Sequence, residues 1–357
     1  MPKVTFNNQH KLFFNSLNQR VERYFQEKQL KKTGNRKLYL KSVVLISAAA
    51  ITYVALLTVS MNPFVAILLC AFFGFTLAGI GFNVMHDANH GSYSTKKWVN
   101  NMMGLTANMM GANAWMWKQK HNIIHHTYTN VDGMDDDIAK SRLLRMCPSQ
   151  AKLKVHKYQY LYCIPLYALT SILWTFVTDF SKYFSKKIHA TELQNMELRE
   201  HIIFWISKTL YVFFYIGLPL YLFGFWPVFF GMIAMHVALG LTLAIVFQLA
   251  HIVEATHFVN AQNEVLKIED EWAIHQVQTT ANFATNNKVI SWFTGGLNFQ
   301  VEHHLFPKIS HVHYPAIHHF VKEACEKFSV RYNDYPTMIS ALRSHLRFMK
   351  QLGVQEA

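Results

Sequence analysis

The sequence predicts an all-α integral membrane fold, four transmembrane helices carrying a cytoplasmic helical cap. Three observations lead there. Of 357 residues, 51% are apolar and only 15% charged. Lys, Arg, Asp and Glu are absent from 42–85 and again from 209–250; about 20 apolar residues cross a bilayer as a helix, so each run predicts a hairpin of two crossings. Three histidine clusters stand outside these runs: HDANH at 86–90, HNIIHH at 121–126 and QVEHH at 300–304. The crossings are expected at 42–60, 63–85, 202–225 and 227–250, inside a membrane domain over 42–320. An N-terminal cytoplasmic or interfacial segment, 1–41, precedes it, and a cytoplasmic helical tail, 321–357, follows.

The net charge of +13 fits the excess of Lys and Arg on cytoplasmic segments of membrane proteins better than it fits nucleic acid. No interleaved aromatic and glycine pattern for RNA accompanies it. Four cysteines without a CxxC predict no disulfide framework, and the polar first 40 or so residues are not a cleavable signal peptide.

Phe14, Leu17, Val21 and Tyr24/Phe25 recur at helical spacing among basic residues. They read equally as an amphipathic helix on the membrane or as a helix packed on the cap. Lys28, Lys31, Lys32, Arg36, Lys37 and Lys41 precede the first crossing, where anionic headgroups attract them. The stretch 95–120, with Trp98, Trp115 and Trp117, reads as helix at the interface with Trp at headgroup depth. Asp132, Asp135, Asp136 and Asp137 then read as a solvated acidic turn, the alternative being contact with histidine N–H groups.

The stretch 160–180 is apolar enough to cross but contains Pro165 and Asp179. A full crossing there would put the first two histidine boxes opposite the third, so the stretch is placed at the interface or as a re-entrant segment. Lys208 is expected to snorkel outward. His236, mid-crossing, is expected to bond helix to helix, and His251 to emerge level with His86. His257, His275, His311, His313, His318 and His319 lack box spacing and are expected to be structural or superficial. The stretch 339–353 predicts an amphipathic helix.

On an α-helix at 100° per residue, His86 and His90 lie about 40° apart, as do His121 and His125. Seven imidazoles in three boxes exceed what one metal ion takes. The lack of thiolate and of Glu-x-x-His motifs excludes iron–sulfur clusters and the soluble four-helix di-iron pattern. A zinc hydrolase uses about three protein ligands. Two irons with positions open for dioxygen fit, and apolar helices beside them suggest oxidation of a lipid chain, by desaturation or by hydroxylation. A metal transporter would need ionisable groups within the crossings, where His236 stands alone.

HDANHG (86–91), HNIIHHTYTN (121–130) and GGLNFQVEHHLFP (295–307) closely resemble the boxes of the membrane fatty acid desaturases, in order, gaps and crossing pattern, over about 40–320. The Gln that opens the third box resembles the front-end branch, which inserts double bonds between an existing one and the carboxyl end. The resemblance implies a di-iron cofactor held by His86, His90, His121, His125, His126, His303 and His304, with His251 as an additional ligand. Gln300 stands where other branches have His, an amide being a weaker donor than imidazole. Asp87, Asn89 and Glu302 are candidates to orient the ligand rings. No HPGG haem motif of a fused cytochrome b5 domain occurs in the sequence. The resemblance therefore implies a separate donor, ferredoxin or cytochrome b5 with its reductase. It further implies an acyl-CoA or acyl-lipid substrate, dioxygen as co-substrate, and a bacterial inner membrane with the active site on its cytoplasmic side.

Overall fold

The structure, a computed structural model, describes residues 3–9, 11–139, 141–261 and 265–356; positions 1–2 and 10 of the expected N-terminal segment and 357 of the tail lie outside the described residues. Four helices are long and apolar enough to cross a membrane: Arg36–Thr58, Pro63–His90, Leu198–Phe223 and Phe225–His251. At 1.5 Å per residue, their 23 to 28 residues exceed a hydrocarbon thickness of about 30 Å. Asn35 caps the first through Lys37 N–H, and Asn62 the second through Phe64 N–H with Pro63 in the first turn. The first helix starts before the uncharged run because Lys41 turns inward, its Nζ donating to Asn83 Oδ1 at 2.8 Å and meeting His311 Nε2 at 3.1 Å.

The outer faces keep large apolar side chains exposed, Leu40, Ile51, Phe64, Leu68, Tyr221 and Trp226 among them, as a lipid-facing surface requires. The second and fourth spans form the inner pair. Gly74 permits it, since a Cβ there would lie 2.1 Å from the Met235 carbonyl oxygen. His236 joins helices as expected, its Nδ1 2.9 Å from Ser171 Oγ and its Nε2 3.0 Å from the Tyr211 hydroxyl.

The ambiguous stretch is a bent pair, Lys154–Ala168 and Thr170–Ser185, meeting at 57°. The first two boxes and the third meet in one cluster, with His303 and His86 ring centroids 4.5 Å apart, the meeting from which the sequence places this stretch at the interface or as a re-entrant segment. Lys208 does not snorkel. Its Nζ is buried against Asp179 (3.0 Å) and the carbonyls of Gly111 and Thr175 (2.6 and 2.9 Å), because Asp179 on the bent pair offers a counter-charge that water would otherwise supply.

Outside the spans, Leu12–Glu27 buries Phe13, Leu17, Val21 and Phe25 against Ile317, Val321 and Ala324 of Tyr314–Lys327. Of the two readings of this segment, packing on the cap is the one observed. Met338–Val354, capped by Thr337, forms the terminal amphipathic helix. Strands occur among the described residues only as two-residue-wide or slightly longer pairs, such as Lys3–Phe6 with Val265–Ile268.

Candidate metal centre

Each box sits on a short helix whose form follows from its sequence. The second span changes to a π-helical turn at Gly81–Met85 just before the helix His86–His90, which Gly91 ends at φ 76°. Box two lies on a π-helix, Gln119–His125, closed by the i→i+5 bond from His126 N–H to the His121 carbonyl at 3.1 Å. The α-helical expectation for this box is corrected here. At 100° per residue His126 would point about 140° from His121. A π-helix, with roughly 4.4 residues per turn, cuts that to about 50° and keeps all three imidazoles inward. The Nε2 atoms of His121 and His126 lie 3.2 Å apart as a result. Box three is the helix Gln300–Leu305. Gly295, at φ 59°, brings it against the second span, since a Cβ there would stand 2.4 Å from the Phe82 carbonyl oxygen.

All eight histidines of the boxes and of the fourth span's end are gathered. His86, His90, His121 and His303 form one group, and His125, His251 and His304 another; within each, one ligand atom per residue lies within 4.8 Å of the others. His126 lies between them and groups with His303 and His304. Gln300 is buried with its amide nitrogen 2.9 Å from His251 Nε2. Buried ring nitrogens without partners converge here: Nε2 of His90, His125, His303 and His304, and Nδ1 of His126. An imidazole whose far nitrogen is hydrogen-bonded presents the near one as a lone pair. His125 Nδ1 is 3.1 Å from Asp135 Oδ2, His303 Nδ1 3.1 Å from the Tyr314 hydroxyl, and His304 Nδ1 2.7 Å from Gln276 Oε1. Burial first, then the neighbouring imidazoles, hold His121, His126, His303 and His304 well below the usual 6.5. They are neutral donors at physiological pH. An all-nitrogen set of this size, with the buried ring nitrogens of His90, His125, His126, His303 and His304 left without partners, fits metal ions.

The ring-orienting residues are not the ones expected. Asp87 accepts from Ser310 Oγ (2.6 Å) and faces His311; Asn89 donates to the Gly104 carbonyl; Glu302 accepts from Asn282 Nδ2 (2.7 Å) and the Tyr332 hydroxyl (2.8 Å). They brace the box helices against other segments rather than touching box rings. Asp135, Gln276 and Tyr314 touch them instead; for Asp135 this is the alternative reading of the acidic turn, while no spacing in the sequence marks Gln276 or Tyr314.

The acidic turn is not solvated. Asp132, Asp135 and Asp137 are buried, and Lys120 lies 2.5 Å from Asp137 while Lys182 lies 2.6 Å from Asp136. Burial alone would raise Asp136, but Lys120 and Lys182 outweigh it and hold it low. Trp117 is likewise no interfacial anchor; it stacks on His121 with centroids 4.3 Å apart and closes over His86 and His90. His275, His311 and His313 are buried rather than superficial, His275 Nε2 lying 2.9 Å from the Thr129 carbonyl.

The family model described as fatty acid desaturase matches residues 60–336. The chain belongs to the fatty acid desaturase family. This desaturase is 37% identical to the sn-1 linoleoyl-lipid 6-desaturase of Synechocystis sp. over 94% of both chains. It is 34% identical to the protein of the same description from Arthrospira platensis, over 96% of this chain and 93% of that one. Against the acyl-lipid (8-3)-desaturase of Physcomitrium patens the identity is 35%, over 96% of this chain and 72% of the other. The desaturase is thus a membrane oxidoreductase, and membership implies iron, a lipid substrate and an electron donor.

Proposed function

We propose that the chain is a front-end acyl-lipid desaturase with two irons, using dioxygen and an external one-electron donor to insert a cis double bond into a lipid-bound acyl chain. The observation that carries it is the pairing of two histidine groups, His86, His90, His121 and His303 beside His125, His251 and His304, with His126 between. His86, His90, His121 and His303 would hold one iron, and His125, His251 and His304 the second. Bound iron would supply, from dioxygen, an oxidant able to take hydrogen from unactivated methylenes. The chain's own part is positional. Asp135, Tyr314 and Gln276 fix the rings of His125, His303 and His304. Gln300 sets the His251 ring, and Trp117 packs over the rings of His86, His90 and His121.

The acyl-lipid form of the substrate, and a new bond on the carboxyl side of an existing one, rest on the descriptions of the cyanobacterial relatives. With all three boxes on one side of the spans, the basic excess of the chain supports a cytoplasmic active site in a bacterial inner membrane. Ferredoxin, or cytochrome b5 with its reductase, suits the donor's role.

The test is gas chromatography–mass spectrometry of lipids from a host expressing the chain and fed linoleate and oleate, beside metal analysis of the purified protein. A new double bond toward the carboxyl end, with about two irons per chain, is expected. A hydroxy acid would move the assignment to hydroxylation; absence of both product and iron would overturn it.

A further inference from the structure

The histidine cluster is deeply buried, yet it must be reduced by a protein too large to enter. Aromatic or hydrogen-bonded links run from it toward the surroundings at Trp117, His318 and Trp272 among other residues, and they are not equivalent. Trp117 touches the cluster directly but packs against the core built by the spans, the side from which a lipid chain arrives. His318 is partly exposed and reaches Glu302 at 3.2 Å, but that route must run the length of the Glu302 side chain and through a peptide before it meets His303. The third link is Trp272.

Trp272 opens the short helix Trp272–Gln278 and is half-buried. It lines a surface cleft of about 180 Å³ together with Asn8, Lys11, Phe14, Glu271 and Ala273. Its Nε1–H donates to the backbone carbonyl of His126 at 3.0 Å. From that oxygen only the carbonyl carbon, Cα and Cβ lead to the His126 ring. That ring is central: its centroid lies 4.3 Å from His304, 4.7 Å from both His121 and His303, and 4.9 Å from His90. It therefore adjoins both histidine groups. The indole is held in place, edge-on to Phe14 at 5.9 Å, with its backbone N–H on Asn8 Oδ1 at 3.2 Å.

We propose that Trp272, through the His126 carbonyl, is the route by which electrons reach the cluster. This rests on the di-iron reading above. Electron transfer through protein is faster along covalent and hydrogen bonds than across gaps, and an indole offers a π-system at the surface end of such a path. With iron bound, each transfer would oxidise a one-electron donor protein by one electron and reduce one ferric ion to ferrous, with no bond made or broken, once for each ion. Electrons and acyl chain then approach from different sides, one over the cap and one from the spans.

The test tethers a ruthenium photosensitiser at the cleft through Lys11→Cys, Lys11 being exposed while Cys147, Cys163 and Cys325 are buried and Cys70 is partly so within the second span. Flash reduction of the bound iron is followed by its absorbance. Trp272→Phe keeps an aromatic ring but removes the N–H, and Trp272→Leu removes the ring. The expected result is a reduction rate slowed by about tenfold in Trp272→Phe and more in Trp272→Leu, with iron content and reduction by freely diffusing dithionite unchanged. The same slowing is expected with reduced ferredoxin or soluble cytochrome b5 as the donor. Equal rates in all three proteins would overturn the proposal, and so would loss of iron from Trp272→Phe, which would make the indole a support for box two. Iron missing from the unsubstituted protein would instead overturn the di-iron reading itself.

Discussion

The two histidine groups are built differently. Both draw on three segments, but the first keeps two of its four rings on one helix: His86 and His90 are one α-helical turn apart, and Trp117, four residues before His121, covers these three rings. In the second, each ring comes from a different segment: His125 from the π-helix, His251 from the end of the fourth span and His304 from the third box. Each of those three has a polar partner fixing it, Asp135, Gln300 and Gln276. Among the described residues, His303 is the one ring of the first group fixed that way, by Tyr314. Where two rings share one helix, local spacing and aromatic packing hold them. Where every ring comes from its own segment, each has its own hydrogen bond to keep it in register.

Four experiments would sharpen or break this contrast. The largest effect is expected from His125→Ala and His86→Ala, one in each group. Both should abolish product formation and leave about one iron per chain; activity surviving in either would show that the two groups do not act together. Asp135→Asn should follow, keeping a hydrogen-bonding side chain but losing the charge. A drop of about tenfold to a hundredfold in iron affinity or activity is expected, measured by metal titration, against a smaller loss for Trp117→Phe. If Trp117→Phe proves the more harmful, aromatic packing matters more than hydrogen bonding even in this site.

Tyr314→Phe comes third. It removes the partner of His303 while preserving the ring's packing, so a loss of about tenfold or less is expected in the same titration. The smallest effect concerns pH. His121, His126, His303 and His304 titrate well below the usual 6.5 in the folded chain, so below that value the unfolded chain takes up more protons than the folded one. Metal-free protein should lose thermal stability as the pH falls through and below 6.5, and be flat above it. His318 opposes this weakly. Burial would lower it, but the hydrogen bond to Glu302 and the charges of Glu302 and Asp334 together outweigh burial and raise it, so its contribution is present below 6.5 and fades as the pH climbs through the raised value. Calorimetry across this range that showed stability rising in acid would contradict the neutral, buried state of the cluster.

Much of the site was legible because its signals are local. Paired histidines at helical spacing, uncharged runs longer than one crossing, and His251 at the end of such a run all show their meaning without a fold. Asp135 was visible only as one of four acidic residues. A run of carboxylates ordinarily faces water, and Lys120 and Lys182, which neutralise this one, arrive from separate segments. Lys208 misled for the same reason, its counter-charge Asp179 lying 29 residues away. The π-helical form of box two was hidden too, since the pattern HxxxHH is compatible with an α-helix until all three rings must point to one place.

The sequence by itself determined the membrane architecture, the number of spans and the identity of the clustered histidines, because hydrophobic length and helical periodicity act within single segments. Only the tertiary structure decided that the ambiguous stretch bends by 57° between its two helices, that the N-terminal helix lies on the cap, and which side chains orient the rings. Those outcomes depend on which distant groups meet, and a buried charge or imidazole takes its state from the partner it meets rather than from its neighbours in the chain.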